Sequence, residues 1–102
     1  MASALIYGTP EGRIVQLCSV DDPGETTYTP KTDTTKIETD EGTIMEARFT
    51  DGWWSFRLLH QEGIRVQELP YEYPEMPNNQ TEGLLLVGDF KTITFSDYDA
   101  GH

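Results

Sequence analysis

Turn-forming residues recur along the whole chain at intervals too short for a helix-rich fold. Between them lie runs of strand length that alternate apolar and polar residues or are apolar throughout. Glycine and asparagine supply the positive φ that tight turns need, and proline presets the first turn position. The turn signals are Thr9-Pro10-Glu11-Gly12, Asp21-Asp22-Pro23-Gly24, Asp40-Glu41-Gly42, Asp51-Gly52, Gln61-Glu62-Gly63, Asn78-Asn79 and Gly88-Asp89. This spacing predicts an all-β protein.

The length of 102 residues is enough for one hydrophobic core. We predict a single domain over 1–102, a small β-sandwich or partly open barrel of about seven strands. Two extended segments should leave it, near 21–35 and 70–82. The first is rich in threonine and the second in proline, and both contain few aliphatic residues.

The first hairpin is the clearest local prediction, with strands at 4–7 and 13–20 around the turn at Pro10-Glu11-Gly12. Its second strand is apolar on both faces, which favours a central position in a sheet. The run 83–87 is apolar throughout, as in a strand that is covered on both faces. The single cysteine, Cys18, excludes an internal disulfide and is interpreted as a small buried hydrophobe.

Residues 43–69 should form a meander of three strands. Met45, Ala47 and Phe49 alternate with polar residues, although Thr43 and Glu46 also have capping-box spacing and leave a short helix possible. Asp51-Gly52 is a favoured hairpin dipeptide. The predicted core residues of the meander are Phe49, Trp54, Phe56, Leu58, Ile64 and Val66.

The charge is strongly acidic, with 7 basic residues against 18 acidic ones and a net charge of −11. This balance argues against direct binding of nucleic acid or of anionic lipid, since both need clustered cations. Most of the surplus lies in 21–50 and 70–102. It is consistent with a solvated surface, with docking on a basic partner, or with metal binding. Asp97, Asp99 and Gly101 begin a calcium-loop rhythm, but the chain ends before its last ligand, so we predict no metal site.

Signatures of catalysis are absent from the sequence. It contains no phosphate-binding glycine loop, no nucleophile elbow and no zinc-protease helix motif. His60 lies at a predicted hairpin end, where a histidine is more often a turn residue than a general base. We therefore predict a protein without enzymatic activity or cofactor.

Two aromatic features suit recognition of a partner. Tyr71, Tyr73 and Met76 lie in an acidic, proline-rich stretch whose extended geometry places both tyrosines on one side. Trp53 and Trp54 are adjacent, so in a strand one should point inward and the other outward. Tyr28 is the one large apolar residue of the segment 21–35. The predicted partner-binding residues are Tyr28, Trp53, Tyr71, Tyr73 and Met76.

In its size, β meander and arms, the chain resembles small virion-associated proteins of tailed phages, which decorate, cement or join a capsid or tail. The resemblance implies a structural subunit, located in the virion after synthesis in the host cytoplasm, that binds a larger structural protein or copies of itself through β arms and tyrosine anchors. Outside a virion, a cytoplasmic location is expected. One alternative is an acidic inhibitor that mimics nucleic acid and occludes a basic groove. A second is a carbohydrate-binding module that uses a surface tryptophan.

Overall fold

The computed structural model describes residues 2–18, 25–70 and 82–98. These residues form an all-β sandwich of two antiparallel sheets, which confirms the predicted fold class. The strands are β1 Ala2–Gly8, β2 Ile14–Cys18, β3 Glu25–Tyr28, β4 Thr34–Thr39, β5 Ile44–Thr50, β6 Trp53–His60, β7 Ile64–Pro70, β8 Glu82–Gly88 and β9 Ile93–Asp97. The five-stranded sheet has the order β3-β2-β1-β8-β7, and the four-stranded sheet has the order β6-β5-β4-β9. In this part of the chain no helix is long and apolar enough to cross a membrane.

The first hairpin forms as predicted. β1 pairs with β2 so that Tyr7 lies opposite Val15. The turn is closed by backbone hydrogen bonds from Thr9 N–H to the Arg13 carbonyl at 2.7 Å and from Gly12 N–H to the Thr9 carbonyl at 3.0 Å. β2 lies between β1 and β3, which agrees with the central position that its two apolar faces indicated.

The sequence predicts that the segment 21–35 extends away from the domain, but part of it belongs to the two sheets. Residues 25–28 form β3, which pairs with β2 and places Thr27 opposite Val15, and β4 begins at Thr34. Threonine is β-branched and suits a strand, and β3 lies at a sheet edge, where its other polar side chains stay in water. Residues 19–24 lie outside the described part of the chain, as do residues 71–81, which make up most of the second predicted extended segment.

β5 is a strand, so the predicted alternation prevails over the capping-box alternative. Met45 and Ala47 are fully buried, and the chain turns into β6 at Asp51-Gly52. Both turn residues have positive φ, 54° and 82°, which aspartate tolerates and glycine adopts freely. Thr50 and Trp53 then face each other across the hairpin.

The predicted three-strand meander is wrong beyond β6. β7 pairs with β8, so residues 61–63 carry the chain from the four-stranded to the five-stranded sheet. The buried hydroxyl of Thr43 holds this crossing in place. It donates to the Glu62 carbonyl at 2.6 Å and accepts from the Glu62 N–H at 3.0 Å. A short connection can therefore change sheets without leaving its backbone groups unpaired.

The core lies between the sheets. Of the predicted core residues, Trp54, Phe56 and Ile64 are buried, while Phe49 and Val66 are partly buried and pack against the core. Leu58 is 39% exposed, so its assignment to the core was wrong. Its position at a sheet edge explains the difference, because alternation selects the face of a residue but not whether that face is covered.

Trp54 joins the two sheets. Its indole N–H donates to the carbonyl of Thr9 in the first hairpin turn at 2.7 Å. A Cβ on Gly8 would lie 2.2 Å from the Trp54 ring, so only glycine permits this approach. These contacts fix the first hairpin turn against β6.

The five-stranded sheet also has an apolar cluster on its other face. Leu5, Tyr7 and Val15 are buried there, with Leu17 and Leu85 packed against them. Leu84 and Leu86 point into the core from the same strand as Leu85. This arrangement agrees with the two-sided burial that the apolar run 83–87 indicated. Burial raises the pKa of the Tyr7 hydroxyl, and the nearby Glu25 carboxylate raises it further.

Candidate functional site

The exposed large hydrophobic residues of the described part of the chain all lie on β6. Trp53 is 66% exposed, Leu58 39% and Leu59 42%. A single exposed apolar residue is ordinary on a protein surface, whereas three on one strand make β6 the candidate site, although Trp53 and Leu58 point to opposite faces of the sheet. We call Trp53, Ser55, Arg57, Leu58 and Leu59 the β6 edge, because β6 lies at one side of its sheet.

The β6 edge follows from strand alternation and from one irregularity. Trp54 points into the core, so its neighbour Trp53 points to the outer face of the sheet. Near the other end, Ile44 pairs with His60 but Met45 pairs with Leu58, which leaves Leu59 as an extra residue in a bulge. Regular pairing in β6 thus runs from Trp53 to Leu58.

β6 differs from the other edge strands in its length and in having neither an acidic residue nor a proline, although it carries the exposed Arg57 and a bulge at Leu59. β3 has four residues and contains Glu25, β9 has five and contains Asp97, and β7 contains Glu68 and Pro70. Short length, charge and proline each discourage pairing of an edge with another chain. β6 has eight residues with neither an acidic residue nor a proline. Among the described edge strands it is the longest, and its large apolar side chains are exposed.

The outer face of the four-stranded sheet carries cations as well as carboxylates, unlike the strongly acidic chain as a whole. Lys36, Arg48 and Arg57 lie there with Glu38 and the buried Glu46. Each of these cations lies near a carboxylate, since Arg57 is 3.7 Å from Glu46, Lys36 is 3.1 Å from Glu38, and Arg48 is 3.6 Å from Asp33. Such surface pairs contribute little to stability, about 0–1 kcal/mol each. Their consequence is electrostatic, since this face would not repel an acidic partner as the rest of the surface would.

Two of the five predicted partner-binding residues, Trp53 and Tyr28, lie in the described part of the chain. Trp53 is exposed, as expected for the outward member of the tryptophan pair. Tyr28 stacks on Phe95 with ring centroids 5.7 Å apart, and its hydroxyl donates to Asp97 Oδ1 at 2.9 Å. Burial raises the pKa of Tyr28, and the bond to Asp97 raises it further. Tyr28 thus has partners within its own domain, and its role in binding another protein stays a prediction. The other three residues, Tyr71, Tyr73 and Met76, lie outside the described part.

The histidine that was considered as a general base, His60, lies on the surface. The exposed His60 Nε2 lies 3.3 Å from Glu62 Oε2 at the end of β6. The Cys18 side chain lies outside the described part of the chain. Over 2–18, 25–70 and 82–98, no three His, Cys, Asp or Glu residues are grouped so that they could hold a metal ion.

Sequence reasoning missed Arg57, Leu58 and Leu59. Two signals were present in the sequence. Leu58-Leu59 breaks the alternation of its strand, which is typical of a bulge, and the run from 53 to 60 is long yet contains no acid. Neither signal shows that the strand lies at an edge, because edge position depends on which sheet β7 joins.

Comparison with protein-family models, with curated proteins and with solved structures gives no match for this chain. A function therefore has to be argued from the described surface.

Proposed function

We propose that this chain is a non-enzymatic assembly subunit that binds a larger structural protein through the β6 edge. The observation that carries the proposal is the exposure of Trp53, Leu58 and Leu59 on an edge strand without acidic residues. A protein that only needed to remain soluble would gain from polar residues in place of Trp53, Leu58 and Leu59 on this edge.

The composition of the β6 edge also matches that of binding surfaces. Tryptophan and arginine are the residues that most often dominate the energy of protein interfaces. Trp53 and Arg57 lie on the same outer face of β6, with Ser55 between them. Burying the exposed part of Trp53 would contribute on the order of 2 kcal/mol.

The larger protein that we propose is a capsid or tail protein of a tailed phage, with this chain as a virion accessory subunit. The support for it is the resemblance in size and β architecture. Tyr71, Tyr73 and Met76 would provide a second contact in addition to the β6 edge.

Affinity capture from a virion preparation or a host lysate tests the proposal. The tagged wild type should recover a structural protein, identified by mass spectrometry, and Trp53→Ala should reduce its recovery about tenfold or more. Arg65→Ala is the matched control for Arg57→Ala, because both arginines are exposed on edge strands of different sheets. Equal recovery by wild type, Trp53→Ala and Arg57→Ala would contradict the proposal.

Salt dependence separates this function from that of an acidic inhibitor. An apolar contact through Trp53 and the leucines should persist at about 0.5 M salt, where charge interactions are screened over a few Å. Binding of a nucleic-acid mimic to a basic groove should weaken steeply over the same range. Capture that disappears at high salt and is insensitive to Trp53→Ala would favour the inhibitor.

A second candidate function is carbohydrate binding, which the position of Trp53 favours. Its indole is exposed on a sheet face, across from Thr50 and on the same face as Ser55, so hydroxyl groups flank a stacking surface. Fluorescence titration with a panel of glycans tests it, with Trp53→Phe and Trp53→Ala as comparisons that leave Trp54 in place. A response that is the same in wild type and Trp53→Ala would exclude Trp53 as the binding residue.

A further inference from the structure

We propose that the Asp51-Gly52 turn is a site of spontaneous covalent modification, at which Asp51 isomerises to isoaspartate through a cyclic imide. The inference goes beyond the proposed function and does not require a partner. It rests on the sequence of the turn, on its exposure and on the surroundings of the Asp51 carboxylate.

The residue that follows Asp51 carries the first part of the argument. Asp51 and Gly52 are both exposed at the tip of the hairpin between β5 and β6. A Cβ placed on Gly52 would have no atom within 4 Å, and glycine lacks that carbon altogether. The Asp51 side chain can therefore approach the Gly52 nitrogen without obstruction from the described part of the chain.

The freedom of the carboxylate is the second part. Among the described residues, Asp51 has no hydrogen bond or ion pair. The other described aspartates each have a polar interaction, and none is followed by glycine; they are Asp33, Asp40, Asp89 and Asp97. A carboxylate that is held by other groups is less free to turn towards the next backbone nitrogen. Both conditions for ring closure thus meet at Asp51.

The reaction needs no co-reactant except water. The Gly52 nitrogen loses its proton and bonds to Asp51 Cγ, and one carboxyl oxygen leaves as water, which closes a five-membered imide. Water then adds to one of the two ring carbonyls and breaks its bond to the nitrogen. Cleavage at the backbone carbonyl of Asp51 leaves the chain running through Cγ, as isoaspartate, whereas cleavage at Cγ restores aspartate. One water is released and one is consumed.

The fold sets the rate at which the ring closes. Asp51 has a φ of 54° in the turn and must rotate to bring Cγ to the Gly52 nitrogen. Loop tips open at a lower free-energy cost than the strands that they join. We therefore expect isomerisation in the folded protein, at a rate below that of the chain unfolded in urea.

The product does not fit the original turn. Isoaspartate adds Cβ to the path of the backbone, whereas a two-residue hairpin loop needs defined dihedral angles at both positions. Thr50 and Trp53 face each other across this loop, so their pairing should be disturbed first. Because Trp53 begins the β6 edge, isomerisation should also weaken partner capture. This last consequence alone rests on the proposed function.

Ageing of the purified chain at physiological temperature and neutral pH tests the modification. The probe is methyl transfer by an isoaspartyl methyltransferase, followed by tryptic mapping. Cleavage after Arg48 and Arg57 releases a peptide, 49–57, whose one acidic residue is Asp51. We expect its label to accumulate about tenfold faster than label at Asp33 or Asp40, which corresponds to a barrier lower by about 1.4 kcal/mol.

Asp51→Glu is the matched variant. Glutamate keeps the negative charge, but the imide that it would form has a six-membered ring, which closes more slowly. Hydrogen exchange of Thr50 and Trp53 should accelerate in the isolated isoaspartyl form of the wild type. The same amides should keep their exchange rates when Asp51→Glu is aged in parallel, which separates this site from other damage.

Three outcomes would overturn the proposal. These are a folded protein whose peptide 49–57 gains no label, equal rates of labelling at Asp33 or Asp40, and unchanged exchange at Thr50 and Trp53 in the isoaspartyl form. The mapping needs no partner, so it is independent of the proposed function. If fresh protein captures no partner while the peptide becomes labelled, the proposed function fails and the modification stands.

Discussion

The sandwich has two long sides, and an edge strand of each sheet lies at each of them. The two sides differ in how the side chains of their edge strands are packed. At the β3–β9 side, Tyr28 stacks on Phe95, and its hydroxyl and the Lys31 N–H both donate to Asp97 Oδ1, at 2.9 and 3.0 Å. At the β6–β7 side, Leu58 is exposed and the inward-facing Glu68 contacts water. Contacts within the domain close the first side, whereas Leu58 and Glu68 at the second stay exposed in the described part of the chain. This difference, which charge and composition did not reveal, supports the proposed partner surface at β6.

The largest expected effect contrasts the two tryptophans of β6. Trp54→Ala should destabilise the fold by about 3–5 kcal/mol, because it leaves a cavity and removes the bond to the Thr9 carbonyl. Trp53→Ala should change stability by less than about 0.5 kcal/mol, since its ring is in water. Urea denaturation measures both. Similar destabilisation by the two variants would mean that the outer face of β6 is covered.

The second prediction examines the hydroxyl of Thr43, which anchors the crossing that creates the open side. Thr43→Val should cost about 1–3 kcal/mol, because it leaves both backbone groups of Glu62 without this partner. Thr35→Val is the matched variant. The Thr35 hydroxyl is buried with no hydrogen-bond partner among the described residues, so its removal should stabilise the fold by up to about 1 kcal/mol. A loss of stability in Thr35→Val would show that its hydroxyl has a partner.

The third prediction concerns the closed side. Tyr28→Phe removes the hydroxyl that bonds Asp97 and should cost about 1 kcal/mol. Because the folded pKa of Tyr28 is raised, its contribution is fully present below about pH 10 and is lost as the pH rises through the folded value. Thermal melts between pH 8 and the onset of base denaturation should therefore fall less steeply in Tyr28→Phe. Tyr98→Phe serves as a control, and identical slopes in all three proteins would contradict the prediction.

The smallest expected effect is on the loss of folding stability at acidic pH, and it involves the residues just before β9. Asp40 Oδ1 accepts from the N–H groups of Lys91 and Thr92 at 2.7 and 3.0 Å, and these bonds lower the pKa of Asp40. The stability that they contribute is present above the ordinary value of 3.8 and is lost as the pH falls through the lower folded value. Asp40→Asn should flatten the acid limb of a stability–pH curve. Asp51→Asn, on an exposed turn, should not, and equal flattening would contradict this role for Asp40.

Local sequence features predicted the hairpins well and the sheet assignment poorly. The turn before β2, the alternation of Met45 with Ala47, and Asp51-Gly52 all specified structure over a few residues, where steric and hydrogen-bonding preferences decide. β3 was missed because four polar or aromatic residues at an edge carry no hydrophobic alternation. Within the candidate site, the exposure of one member of the tryptophan pair was predicted, whereas Leu58 was assigned to the core.

The sequence by itself determined an acidic all-β domain, since turn chemistry and side-chain period act within each segment and charge follows from composition. The tertiary structure decided that β7 leaves the meander, that Tyr28 closes one side, and that Leu58 stays exposed at the other. These outcomes depend on long-range pairing. The stability that a strand gains in a given sheet depends on neighbouring strands that are far away in sequence. A half-apolar strand such as β7 can pair its backbone N–H and C=O groups in either sheet.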